Sequence, residues 1–226
     1  MRELLYLSER KLAAFHPEPR RRRPGLRGEL GMPGVAKVGA DLPAAQVERP
    51  GLDEVLAYLT GTPGKLRWYT EDDLPPGQWV QFEVRLGSVT LYEPSVRAVL
   101  FTDLGGDEPG TLLLHGSPEH LTGEVHVPSQ RVRGASRATF VRQLLGELMH
   151  ADGGAELEPH RPGYYAVGMD QLSRYLRRNV EPRATTWLGG VARVTLDTAD
   201  LGIVVASPLF VEFVSAPAGT PPTSPS

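Results

Sequence analysis

Hydrophobic positions recur along this chain in two rhythms. Leu52, Val55, Leu56 and Leu59 fall at helical spacing, with Asp53 and Glu54 in the first turn and Gly61 just beyond the end, which predicts an amphipathic helix. Ser136 precedes a second such stripe, made of Phe140, Val141, Leu144, Leu145 and Leu148. A third, Leu172, Tyr175 and Leu176, runs through "MDQLSRYLRRNV". Elsewhere the apolar residues bunch or alternate. "WVQFEVRLGSVTLY", "VRAVLFTD" and "TLLLHG" read as consecutive strands separated by Gly, Pro and Asp, and "GYYAVG" as a short one. "ELLYLS" predicts a buried strand at the start of the chain, feeding a helical turn in "SERKLAAF" capped by Ser8. "TTWLGGVARVTLD" and "GIVVASPLFVEFVS" predict two long strands joined by a turn over Thr198 to Gly202. Strict alternation in the last of these places Phe210, Glu212 and Val214 on one face, opposite Leu209, Val211 and Phe213.

These elements sum to an α+β fold, a mostly antiparallel sheet packed with about three helices. One domain is expected over residues 1–215, interrupted near 16–50 by a long loop rich in Pro, Gly and Arg. Residues 216–226, "APAGTPPTSPS" from Ala216, are expected to be disordered, because they bury too little apolar area to offset their ordering entropy.

Composition narrows the chemistry. There is no cysteine, so disulfides, thiolate nucleophiles and Cys-containing metal sites are excluded, and a divalent metal would need His, Asp, Glu or other oxygen donors. A net charge of −3, from 24 basic against 27 acidic residues, gives no overall field for nucleic acid or a membrane surface. No stretch approaches the roughly 20 apolar residues that a membrane helix requires. The first residues also lack the uninterrupted apolar core of a secretory signal. A cytoplasmic protein is expected.

Three of the six histidines, His115, His120 and His126, crowd into "LLLHGSPEHLTGEVHV". Their spacing matches neither the i, i+4 pair of a zinc-binding helix nor an alternating pair on one strand. The local chemistry reads more simply as a strand end, a turn at Gly116, a cap at Ser117 and a helix start at Pro118 and Glu119. Backbone N–H groups at such a junction can receive an anion, which makes Gly116, Ser117 and His120 candidate ligand contacts. A metal alternative joins His115, His120 and His126 to Asp152 and His160 from "HADGGAELEPH", where a solvated acidic loop is the competing reading. Arg20, Arg21, Arg22 and Arg23 form a basic run able to pair with phosphates, without the interleaved aromatics of a single-strand binder. No nucleophile elbow, P-loop or dinucleotide fingerprint is present, and "SERK" lacks the companion motifs of a serine–lysine acyltransferase.

Three phrases, "LLYLSERKL", "LLLHGSPEHLTG" and the closing "TWLGGVARVTL" with "VVASPLFVEF", span most of the chain. Together they resemble an uncharacterised family of actinobacterial cytoplasmic proteins with a strand-first "YLSxxK" start and a late "SPLF/YV" strand. The resemblance implies a single domain and brings no activity, cofactor or site residue with it. The sequence therefore leads to a non-catalytic sensor or interaction module that binds a small ligand or protein partner, with an accessory role in a regulatory or defence system as its setting. A metal-dependent hydrolase or phosphoesterase using the His/Asp cluster is the first alternative. Nucleic-acid contact through Arg20 to Arg23 is the second.

Overall fold

Seven strands form one continuous sheet: β1 (Leu4–Leu7), β2 (Leu66–Trp68), β3 (Trp79–Tyr92), β4 (Arg97–Thr102), β5 (Leu112–Gly116), β6 (Thr186–Leu196) and β7 (Val204–Phe213). Around them lie α1 (Glu9–Ala14), α2 (Leu52–Thr60), α3 (helical over 141–146) and α4 (Tyr164–Asn179). This computed structural model describes residues 2–15, 50–92, 97–103, 111–123, 141–146, 164–179 and 185–216. The greater part of the predicted 16–50 loop and nearly all of the predicted tail lie outside them.

The sheet closes on itself. β3 is long enough to serve two neighbours, pairing with β6 through Trp79–Leu86 and with β4 through Gly87–Tyr92. β4 pairs with β5 antiparallel, β5 with β7 parallel, and β7 returns antiparallel to β6. The ring β3-β4-β5-β7-β6 is thus a five-stranded mixed barrel, with β1 added to β7 and β2 added parallel to β3. Its neighbour order, first-second-third-fifth-fourth-first, is that of the Greek-key barrels called OB-folds. The expected mostly antiparallel sheet packed with about three helices is therefore corrected to a closed mixed barrel. Period-two alternation tells which residues share a face but not which strand edges meet, so neither the parallel β5–β7 pair nor closure through β6 was visible in it.

Closure gives the apolar residues three destinations. Val80, Phe82, Leu86, Val99, Phe101, Leu112, Leu114, Ala192, Val194 and Ala206, from all five barrel strands, form the interior cluster with Tyr6. The opposite sides of β4 and β5, through Ala98, Leu100 and Leu113, pack under Val141, Leu144 and Leu145 of α3 and Tyr164, Met169, Leu172 and Leu176 of α4. Val55 and Leu59 of α2 cover Val191, Leu209 and Phe210.

α2 matches its predicted bounds, and the backbone N–H of Gly51 donates to the Glu54 carboxylate at 3.1 Å. α4 begins earlier than expected. From Tyr164 on, the predicted strand "GYYAVG" is instead the start of this helix, because Tyr164, Gly168, Leu172 and Leu176 continue one buried stripe at i, i+4 spacing. The expected face assignment in β7 keeps Phe210 and Val211 in different clusters but fails at Leu209. Pro208 lacks a ladder donor, and the register slips by one residue between Val191↔Phe210 and Ala192↔Pro208. This bulge puts Leu209 and Phe210 in the same outer cluster, where alternation would separate them.

The bulge leaves carbonyls without sheet partners, and the N-terminal segment supplies donors to them. Ser8 N–H donates to the Leu209 carbonyl at 2.8 Å, and Lys11 Nζ to the Pro208 carbonyl at 2.6 Å. Lys11 Nζ also donates to Ser207 Oγ at 2.6 Å. Ser8 stands at the N-cap of α1, as expected, but its side chain makes no capping bond.

Candidate ligand-binding cleft

At one end of the barrel the β6–β7 hairpin, the start of β5 and the segment between β2 and β3 enclose a cleft of about 280 Å³. Its apolar lining comes from Leu74, Val194, Leu196, Ile203 and Val204, and its polar lining includes Tyr69, Thr111, Glu71, Asp72 and Asp73. Each wall is fixed by local chemistry. The hairpin turn holds through Leu201 N–H on the Thr198 carbonyl at 3.0 Å and through the Thr198 hydroxyl on the Ile203 carbonyl. Gly202, at φ 64°, takes the left-handed position that this turn needs. Val204 N–H then donates to the Thr111 carbonyl at 2.8 Å, stitching the hairpin to the start of β5.

Thr111 is itself held by Asp103. The carboxylate accepts the Thr111 hydroxyl at 2.8 Å, the Thr111 N–H at 2.9 Å and the Leu112 N–H at 3.1 Å. Tyr69 completes this polar corner. Burial raises its phenol above the ordinary range, a hydrogen bond with the Thr111 side chain opposes the shift, and the Asp103 charge adds to it.

The acidic wall is organised by Arg67. Its guanidinium donates to Glu71 Oε2 at 2.8 Å, to the Asp72 carbonyl at 2.8 Å and to the Asp73 carbonyl at 3.0 Å. Glu71 Oε1 also accepts Trp68 N–H at 2.7 Å. Those two donors, Arg67 first, hold the Glu71 carboxyl below its ordinary range. Asp73 adopts φ 53°, a left-handed conformation that Asp tolerates better than most side chains. One cation thus serves Glu71 and two backbone carbonyls, while the carboxylates of Asp72 and Asp73 have no ion pair among the described residues. The wall is preorganised and carries an excess of negative charge.

The residues singled out from sequence lie elsewhere. His115 is fully buried in β5, with Nε2 2.8 Å from Thr195 Oγ1. That hydroxyl donates to the Val205 carbonyl at 3.1 Å, so it accepts from the ring, and the network assigns the proton to Nε2. His120 sits in a single 3-10 turn, Pro118–His120, with its ring edge-on to Tyr6 at 5.6 Å. Ser117 precedes that turn without a side-chain capping bond. Gly116 lies beneath Tyr6, where a Cβ would overlap the phenol oxygen and come within 2.8 Å of its Cζ. The turn is therefore covered by protein on the Gly116 side. No group of three or more possible metal ligands occurs among the described residues. His126, Asp152, His160 and Arg20, Arg21, Arg22 and Arg23 lie outside them.

Tyr6 itself is fully buried, and burial drives its pKa far up, opposed by the Ser117 backbone and the Ser8 side chain beside its hydroxyl. Tyr6→Phe is accordingly expected to cost at most about 1 kcal/mol, because the desolvation of the hydroxyl offsets most of what its contacts with Ser117 and Ser8 return. Chemical denaturation of the two proteins measures this. A loss above roughly 1 kcal/mol would show that those hydrogen bonds outweigh the cost of burying the hydroxyl.

Sequence reading passed over the cleft because its parts, "YTEDDL", Thr111 and the Thr198–Ile203 turn, are far apart in the chain and ordinary in isolation. The run of three acids, Glu71 to Asp73, in the segment between two strand-like stretches was the one local signal. No helix among the described residues is long and apolar enough to cross a membrane. No curated protein and no solved structure matches the chain. Residues 2–215 match a protein family, and across nearly its whole length the chain belongs to that family, the Family of unknown function (DUF7019).

Proposed function

We propose that this protein is a non-catalytic cytoplasmic binding module, an accessory to a regulatory system, whose cleft takes a small molecule with an apolar body and a cationic, hydrogen-bond-donating head. The observation that carries the reading is the composition of the cleft: an apolar floor of Val194, Leu196, Ile203 and Val204 facing a wall that Arg67 stiffens and that presents Asp72 and Asp73. Small-ligand sites commonly combine such an apolar surface with a few fixed polar groups. A wall ordered before the ligand arrives also spares part of the entropy of binding. In OB-type barrels the loop joining the last two strands often takes part in recognition, the place that the β6–β7 turn holds in this barrel. The sign of the charge is wrong for a nucleic-acid backbone at this cleft, because Glu71, Asp72 and Asp73 would repel phosphates.

Calorimetric titration with phenethylammonium and with the similarly sized 3-phenylpropionate tests the reading. The ammonium is expected to bind and the carboxylate not. The double substitution Asp72→Asn, Asp73→Asn should weaken the ammonium by about ten- to hundredfold, the worth of one or two charge-assisted contacts. Asn also tolerates the left-handed backbone at position 73. Equal binding of the two compounds, or affinity indifferent to the double substitution, would remove the proposal.

A further inference from the structure

Lys11 is a second place where the fold prepares chemistry. Its amine lies between Ser207 Oγ and the Pro208 carbonyl, 2.6 Å from each, and has no carboxylate partner among the described residues. Two acceptors suit the two N–H bonds of a neutral amine and leave its lone pair directed away from them, whereas an ammonium would hold a third proton without an acceptor among the described residues. Arg193 faces the same place. It is the register partner of Ser207 across the β6–β7 pair, so their side chains emerge on one face of the sheet. The Arg193 side chain is exposed, and only its Nε is engaged, on the Gly77 carbonyl at 3.1 Å. Its remaining N–H groups make no hydrogen bond among the described residues. Ser8 and Ser207, the other nucleophilic atoms of the cluster, are 2% and 1% exposed and cannot meet a substrate, whereas Lys11 is only partly covered.

We propose that Lys11 is a covalent capture site for small oxo-acids, its amine condensing with the carbonyl while the Arg193 guanidinium holds the carboxylate. The lone pair adds to the carbonyl carbon, the two amine protons leave with the carbonyl oxygen as water, and a C=N bond replaces C=O. Desolvated lysines beside a second cation are the amines that form such imines at neutral pH. Consistent with the geometry, burial, with the Arg193 charge added, lowers the pKa of Lys11 to about 7.

The chain has three lysines, Lys11, Lys37 and Lys65, which makes the test a competition within one molecule. The folded full-length protein is treated at pH 7 with glyoxylate and cyanoborohydride, and separately with propionaldehyde, and the reduced adducts are quantified by peptide mass spectrometry. Lys11 is expected to be labelled by glyoxylate at least about tenfold faster than Lys65, an advantage lost in concentrated urea, because each unit of lowered pKa multiplies the free amine roughly tenfold. Arg193→Gln, an exposed change that leaves the core intact, should lower the glyoxylate-to-propionaldehyde ratio at Lys11 severalfold. Labelling of Lys11 no faster than Lys65 would overturn the proposal, and so would a ratio that Arg193→Gln leaves unchanged.

Discussion

Gly190→Ala should destabilise the protein by roughly 3 kcal/mol, the upper range for an overpacked core. Gly190 lies in β6 where that strand crosses between β3 and β7 to close the barrel, opposite Phe82 on one side and Val211 on the other. A Cβ there would overlap the Phe210 carbonyl oxygen and approach Phe82 Cζ at 2.8 Å. The first obstacle is backbone held by the bulge at Leu209, and the second is a 2% exposed ring, so neither can give way cheaply. Gly51→Ala is the control, because nothing lies within 4 Å of its added carbon, and its cost should stay below about 1 kcal/mol. Urea unfolding midpoints of the two variants decide the matter. Similar losses would mean that barrel closure is softer than its contacts imply.

Lys11 should make the stability of the protein depend on pH in an unusual window. In the fold its amine gives up a proton near pH 7, whereas an unfolded lysine keeps it to about 10.5. Between those values the unfolded chain binds more protons than the folded one, so the free energy of unfolding rises with pH, by up to about 1.4 kcal/mol per unit for one group. The gain across the window is a few kcal/mol and is absent below pH 7, where both states are protonated. Above about pH 10 the sign reverses, because the phenols of buried Tyr6 and Tyr164 and half-buried Tyr69 have raised pKa values and hold their protons longer in the fold. Lys11→Met should flatten the slope between pH 7 and 10. It also strips the Pro208 carbonyl and Ser207 Oγ of their donor, so the slope rather than the absolute stability is the diagnostic quantity. Denaturation of both proteins across this range provides the measurement. An unchanged slope in the variant would assign the effect to another group.

The helical stripe of α2 and the strand runs of β3 to β7 were legible because local periodicity reports which face a residue turns to the core. The start of α4 was missed because aromatic "GYYAVG" suits a strand as well as a helix until Tyr164 is seen to pack on α3, its hydroxyl donating to the Arg142 carbonyl at 2.8 Å. Tyr164 and Leu176 belong to one stripe only when the neighbouring layer is present.

The candidate site was less legible than the fold. Three histidines in twelve residues drew attention, yet His115 turns into a bond with Thr195 and His120 meets Tyr6 edge-on. Their closeness in sequence reflects a strand end and a turn, which send side chains in different directions. The cleft residues give the opposite case. Glu71, Asp73, Thr111 and Ile203 come together because closure brings three separate segments to one end of the barrel.

By itself the sequence determined the helix stripes, the strand runs, the absence of thiol chemistry and the near-neutral charge, all properties fixed by residue type and spacing along one segment. Only the tertiary structure decided that the sheet closes, that β5 runs parallel to β7, and that the bulge at Leu209 turns its carbonyl toward Ser8 and leaves the Pro208 carbonyl and Ser207 hydroxyl to Lys11. The physical reason is that strand pairing and burial are settled between segments as far apart as Lys11 and Ser207. Their energies depend on which edges and which desolvated groups meet, and no local pattern encodes that.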